Sequence, residues 1–385
     1  MSNNVQSKLV VAGFAIFAMV FGSSNIVFPL IVGKNFANHW FIAAIGWLLS
    51  AVLIHFVGDY SAVLYDADNK KFMKPLGRYC TFFIMLCIMM LVGPFGGIAR
   101  NVNVSLDCIK SAFPLVNSDI FKITYCLVLV VLAWNPGKLV DLIGRIFTPL
   151  KFGGVIGIII LALYLKDPNM PAISVDKSSY EALFTSLTLG YQTMDMLTAF
   201  MAMGVIYGYI KNAMPADKQT DHDLLVKSSV KSFFVAGTVI SIVYVGLIYL
   251  GAQYSPVLGN TPDAALFPEI AKLAMGSSAA WFVAIVIAVC CLATSIALTS
   301  IFADYLYKDI FLEKVNHKLL LIATGISTYV MSLLGFGKLC EILGSILNIL
   351  YPFLIVFVIV RIIQYHHNKK HSNNDGIVLQ DKLNE

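Results

Sequence analysis

The chain of 385 residues has 58% hydrophobic side chains and only 13% charged ones, with a formal net charge of +5. Soluble domains carry about 25% charged residues, so a water-soluble globular enzyme is excluded. No stretch interleaves aromatic and basic residues as a nucleic-acid surface would, and the chain reads as an integral membrane protein.

A helix that crosses a bilayer needs about 20 mostly apolar residues. Taken in chain order, such runs fall near 9–32, 40–64, 79–99, 119–134, 147–165, 182–210, 232–252, 277–307, 318–336 and 340–363, which predicts ten spans. Lys8 precedes a first run too long for a signal-peptide core, and no A-x-A-like site follows it, so the N-terminus is expected to be retained. Pro136 and Gly137 end the fourth run. The polar segment 364–385 reads as a disordered tail. If the N-terminus lies inside, 19 of the 27 lysines and arginines fall on the cytoplasmic side, and the positive-inside rule places both termini there. Lys151 is counted among those inner charges, and Arg100 reads as an outer interfacial anchor or a gate partner.

The first and sixth runs each contain a segment that resists helix formation. Gly22-Ser23-Ser24-Asn25 is followed by Pro29, and Gly190-Tyr191-Gln192-Thr193-Met194-Asp195 interrupts the other. The first break opens spans one to five (about 8–166), and the second opens spans six to ten (about 180–363). Five is odd, so the two halves enter the membrane in opposite senses. Interrupted helices at matching places of inverted halves point to a transporter binding site at the midplane.

Unwound backbone is tolerated at membrane depth only where it is enclosed by protein or lines a cavity. There, freed N–H groups and a helix N-terminus hold a carboxylate, while freed carbonyls hold an ammonium group or a sodium ion. Gly22 lets a ligand approach the backbone, and Ser23, Ser24 and Asn25 offer side-chain partners. Asp195 is the acid nearest the centre of any span, which makes it a functional candidate. Its possible roles are to bind the cation or substrate ammonium, to carry a proton, or to act as a hydrogen-bonded structural carboxyl. In the eighth run Thr294, Ser295, Thr299 and Ser300 either bond back to their own helix or complete an oxygen cage for a hard cation.

The seven cysteines lie in or beside apolar runs without CxxC or zinc-ligand spacing, and read as small apolar fillers. No HExxH, GxSxG or P-loop motif occurs, so neither a membrane enzyme nor an ATP-driven pump is expected. The polar residues cluster at the breaks rather than along a continuous stripe, which argues against a channel.

The blocks FGSSNIVFP (Phe21–Pro29), VGPFGGIAR (Val92–Arg100), NPGKLVDLIG (Asn135–Gly144), GYQTMD (Gly190–Asp195), ATSIALTS (Ala293–Ser300) and LGFGKLCEILGSILNILYP (Leu334–Pro352) stand in this order along most of the chain. In these the sequence resembles the BrnQ-like branched-chain amino acid carriers, the leucine-isoleucine-valine cation symporters. The resemblance implies an all-α integral membrane protein of about ten helices. Its fold would be a LeuT-like 5+5 inverted repeat with helices 1 and 6 broken, as in amino acid–polyamine–cation transporters. It implies symport of leucine, isoleucine and valine with Na+ or H+ across a bacterial inner membrane. The alternative is a same-fold symporter of another small amino acid or a nucleobase-like substrate.

Carried over by position, the substrate carboxylate would rest on amides around Gly22–Asn25, beside Phe21. Its ammonium would face Gly190, Tyr191 and Gln192, with Thr193 and Asp195 close by. The cation would be held by carbonyls near Ala18 and Phe21 with the hydroxyls of Thr294 and Ser295. No catalytic residue, no cofactor beyond the coupling ion, no nucleic acid and no ATPase subunit is expected; the partners are the amino acid and the bilayer. Two departures stand out. Family members usually have GAGN where this chain has Gly22-Ser23-Ser24-Asn25, and they usually carry two further C-terminal spans.

Overall fold

A computed structural model describes residues 3–134, 148–171 and 175–384, and no strand occurs among the described residues. The motif at 135–144 and the stop at Pro136-Gly137 lie outside them. Helices α1 (Asn3–Val20) and α2 (Ser23–Asn35) form one unit bent by 75°. Helix α3 (Ala37–Leu64) contains a π-helical turn at Leu49–Leu53. Next come α4 (Gly77–Val92), α5 (Gly97–Ala112), α6 (Ser118–Ala133) and α7 (Thr148–Tyr164). Helices α8 (Ser179–Gly190) and α9 (Asp195–Ala213) form the second interrupted unit. They are followed by α10 (His222–Leu258), α11 (Leu266–Met275), α12 (Ser277–Tyr305), α13 (His317–Ser332) and α14 (Phe336–Asn384).

Among the described residues, six stretches are long and apolar enough to cross a membrane, or seven with the bent pair counted as one. Helices α6, α7 and α13 are 16, 17 and 16 residues long, short of the ~20 that a span perpendicular to the bilayer requires. Helix α14 runs on through the polar tail to Asn384.

Helix α10 packs along both α1 and α2, while α3 packs along both α8 and α9. Helix α5 packs along α12. The interior is apolar and aromatic, with Phe17, Phe21, Trp47 and Tyr244 fully enclosed. Outside, Phe83, Val131, Phe234 and Ile349 stand more than half exposed on helix surfaces. So many large apolar side chains on the outside mark a membrane-facing exterior.

Two sequence expectations are corrected. The third run was read as ending near 99, but after the turn at Gly93–Gly96 the chain continues as α5, whose Asn101, Asn103 and Ser105 are buried. Hydropathy misses a polar helix enclosed by other helices. Lys151 and Arg100, read as loop or interfacial charges, are both 0% exposed. Arg100 reaches inward to Gln192 Oε1 at 3.2 Å, so it is not an interfacial anchor.

Candidate functional site

The first break is made by Gly22, whose extended backbone (φ −118°, ψ −158°) stops α1 and caps α2. Its N–H donates to Asn25 Oδ1 at 2.9 Å, and the next amide, Ser23 N–H, donates to Asn101 Oδ1 at 3.0 Å. A side chain at position 22 would meet Asn101 Oδ1 at 3.3 Å, a tight contact that Asn101 would have to yield to by a few tenths of an ångström. These bonds satisfy two of the N–H groups that a helix start leaves without partners. They also show that the break is built into the fold.

The second break is a single 3-10 turn, Tyr191–Thr193, followed by Met194 in the left-handed conformation (φ 58°). That conformation is uncommon outside glycine. Thr193 Oγ1 donates to the Gly190 carbonyl at 2.9 Å and receives the Asp195 N–H at 3.4 Å, which closes the turn and starts α9. At Gly190 an added Cβ would fall 1.8 Å from Ser50 Oγ, so the end of α8 is seated directly against the π-helical turn of α3.

The two breaks are joined. Asn25 Nδ2 donates to Asp195 Oδ1 at 2.9 Å and Oδ2 at 3.1 Å, and also to the Tyr244 hydroxyl. Tyr244 in turn donates to Asp195 Oδ2 at 2.9 Å. Asp195 is 1% exposed and makes no ion pair among the described residues. Its carboxyl group is satisfied by hydrogen bonds from neutral donors, as a buried polar group requires.

Beside the first break lies a second polar cluster. Lys151 Nζ donates to the carbonyls of Ala18 at 2.8 Å and Phe21 at 3.2 Å, and to Thr294 Oγ1 at 2.6 Å. These are three of the four groups expected to hold a cation, and an ammonium already engages them. The residues present therefore do not fit a sodium ion beside it. Ser295, the fourth, turns elsewhere: its hydroxyl accepts from Asn101 Nδ2 at 3.0 Å and lies 3.1 Å from the Tyr125 hydroxyl.

A small cavity of about 20 Å³ lies at the first break, room for about one water molecule in this conformation. Its polar lining residues are Ser23, Ser24, Asn25, Asn101, Thr193, Thr198 and Thr294, with Gly22 and Gly97. Its apolar lining residues are Met19, Val20, Val92, Met194 and Leu298. A smaller cavity of about 10 Å³ adjoins it through Met19, Val20 and Thr198, and is lined by His55 and Asp59, whose side chains approach to 2.9 Å.

Of the predicted substrate residues, Gly22, Ser23, Ser24, Asn25 and Thr193 line the larger cavity, whereas Phe21, Gly190, Tyr191, Gln192 and Asp195 do not. Gln192 spans between Arg100 and the Cys340 carbonyl, and Tyr191 stacks on Tyr351 with ring centroids 4.6 Å apart. Sequence reasoning missed Asn101, Lys151 and Tyr244. The lysine at 151, inside an otherwise apolar helix, was the one legible signal of the three.

Residues 5–380 match the family model described as "Branched-chain amino acid transport protein". Similar curated proteins include the branched-chain amino acid transport system 3 carrier protein of Pseudomonas aeruginosa, 28% identical, covering 90% of this chain and 78% of that one. The branched-chain amino acid permease BrnQ of Salmonella typhimurium is 27% identical, covering 94% and 81%. BraB of Bacillus subtilis, also named a branched-chain amino acid permease, is 25% identical, covering 92% and 79%. Among solved structures, MHP1, titled a nucleobase-cation-symport-1 family transporter, superposes with a TM-score of 0.58 at 11% identity over 87% of this chain and 74% of that one. At that identity the likeness speaks for the fold alone.

Proposed function

The chain belongs to the branched-chain amino acid transport protein family, and from that premise we propose that it imports leucine, isoleucine and valine by symport with a cation, sodium or a proton. It is a multi-pass membrane transporter and not an enzyme. The observation that supports the reading is the mixed lining of the cavity at the joined breaks, where the N-terminus of α2 and polar side chains meet aliphatic ones.

In this reading the substrate carboxylate sits at the start of α2, by Ser24 and Asn25, where the helix dipole and first-turn amides favour an anion. Its ammonium faces Thr193 and Thr198, the hydroxyl-bearing residues of the second broken unit that line the cavity. Val92, Met194 and Leu298 receive the branched side chain. Asp195 acts by holding Asn25 and Tyr244 in place rather than by touching substrate.

The packing supports an inverted 5+5 repeat of ten spans. The first broken unit lies on α10, the seventh run, and the second broken unit lies on α3, the second run. Exchanging the halves maps one pair onto the other, and maps the pair α5–α12 onto itself. The excess of lysine and arginine in inner segments supports an inner-membrane protein with both termini cytoplasmic.

Radiolabelled leucine counterflow into proteoliposomes tests the substrate. The reading expects exchange that isoleucine and valine compete and that alanine competes poorly. Competition by a nucleobase and not by isoleucine would replace it with the same-fold alternative.

A further inference from the structure

We propose that the ammonium of Lys151 is the resident cation at the first break, so that this transporter takes no sodium ion there and runs without sodium. The inference rests on the symporter reading above, and removes sodium from its two coupling ions.

The geometry is specific. Lys151 lies one turn into α7, and its side chain is completely enclosed. A lysine ammonium has three donors, and here each has an oxygen: the carbonyls of Ala18 and Phe21, where α1 gives way to the break, and the hydroxyl of Thr294 on α12. Thr294 also donates to the Phe21 carbonyl at 3.0 Å, which fixes its lone pairs toward the lysine. Among the described residues no carboxylate pairs with Lys151; the titratable groups facing it are the thiols of Cys290 and Cys291 on α12. The charge is therefore compensated by the unwound end of α1, the backbone that a small hard cation would need. An ionised group at membrane depth is costly unless its environment is built for it. This environment is built for a cation fixed to the chain.

A tethered ammonium and a free sodium ion cannot share these oxygens. Shortening the side chain vacates them while leaving the carbonyl pair and Thr294 in position, so the variant should acquire what the parent lacks: a response to sodium.

The test uses the full-length protein. Thermal unfolding of the purified protein is measured in sodium chloride and in choline chloride of equal ionic strength, for wild type and Lys151→Ala. Leucine uptake by wild-type proteoliposomes is measured in sodium-free medium under an inward proton gradient, then under an inward sodium gradient alone. The expected results are a wild-type unfolding temperature that is the same in both salts, and a Lys151→Ala unfolding temperature several degrees higher in sodium. Wild-type uptake should proceed without sodium. Sodium-dependent stabilisation of the wild type, or uptake only under the sodium gradient, would overturn the proposal. Should Lys151→Ala fail to insert, the wild-type arms decide alone. A wild type whose stability ignores sodium but which takes up no leucine under either gradient would uphold the lysine assignment and sink the substrate reading.

Discussion

Asn25 and Asp195, 170 positions apart in the chain, meet side chain to side chain, with Asn25 Nδ2 donating to both carboxylate oxygens at 2.9 and 3.1 Å. Asn25 stands in the first turn of the helix after one break, and Asp195 is the first residue of the helix after the other. The contact makes the two interruptions one structure. Tyr244 closes the triangle from α10, so the packing partner of the first broken unit also senses the second.

Asp195→Asn places an amide where two donors converge, and the new N–H2 faces one of them. Hydrogen bonds to a buried charge are worth about 1.5–3 kcal/mol. We predict that leucine uptake falls about tenfold or more, equivalent to ~1.4 kcal/mol, while the amount of protein in the membrane is unchanged. Uptake at the wild-type rate would remove Asp195 from the transport site.

Tyr244→Phe deletes one acceptor for Asn25 and one donor to Asp195. Leaving buried polar atoms without a partner costs about 1–3 kcal/mol, so the unfolding temperature should drop. An unaltered unfolding temperature would mean that the triangle does not hold the two breaks together.

Gly190→Ala drives a methyl group into Ser50, whose Oγ lies 1.8 Å and Cβ 2.9 Å from the added carbon. Overpacking of this kind costs about 1–3 kcal/mol. The single variant should be poorly stable in detergent, and the pair Gly190→Ala with Ser50→Gly should recover much of the loss. Failure of the pair to recover would place the strain elsewhere.

At the loop after α3, Asp66 accepts from Lys71 Nζ at 2.9 Å and from the Tyr207 hydroxyl at 3.2 Å. Partial burial pushes its carboxyl up, but the bond to Lys71 and the charges of Lys71 and His222 outweigh this and hold it below the usual carboxylate value. A depressed carboxyl contributes stability above its unfolded value of 3.8 and loses it as the pH falls through the folded one. Asp66→Asn should therefore lower the unfolding temperature at pH 7, and its effect should shrink progressively as the pH falls below 3.8. A loss that stays the same all the way down the acid range would contradict the ion pair's role.

Both interruptions could be read from the sequence because Gly, Ser and Asn at 22–25 and the Gly190–Asp195 segment are poor helix formers placed where a helix is otherwise obligatory. Which side chains then face the cavity could not, since both faces of a broken unit are covered by other helices. Gln192 and Tyr191 accordingly turn toward α14. Asn101 was lost with α5, which is polar because it is enclosed by protein. Lys151 was lost because a charge tally treats every lysine as lying in a loop. Tyr244 carries no mark that separates it from ordinary packing in an apolar run.

Direct binding of radiolabelled leucine to the purified wild-type protein and to Leu298→Trp tests the central claim, that the cavity between the joined breaks holds a branched-chain amino acid. Leu298 is one of the apolar lining residues, and an indole there fills the space meant for the substrate side chain. The account predicts saturable binding to the wild type, displaced by isoleucine and valine, and none to a folded Leu298→Trp. Undiminished binding by that variant would place the substrate elsewhere in the protein.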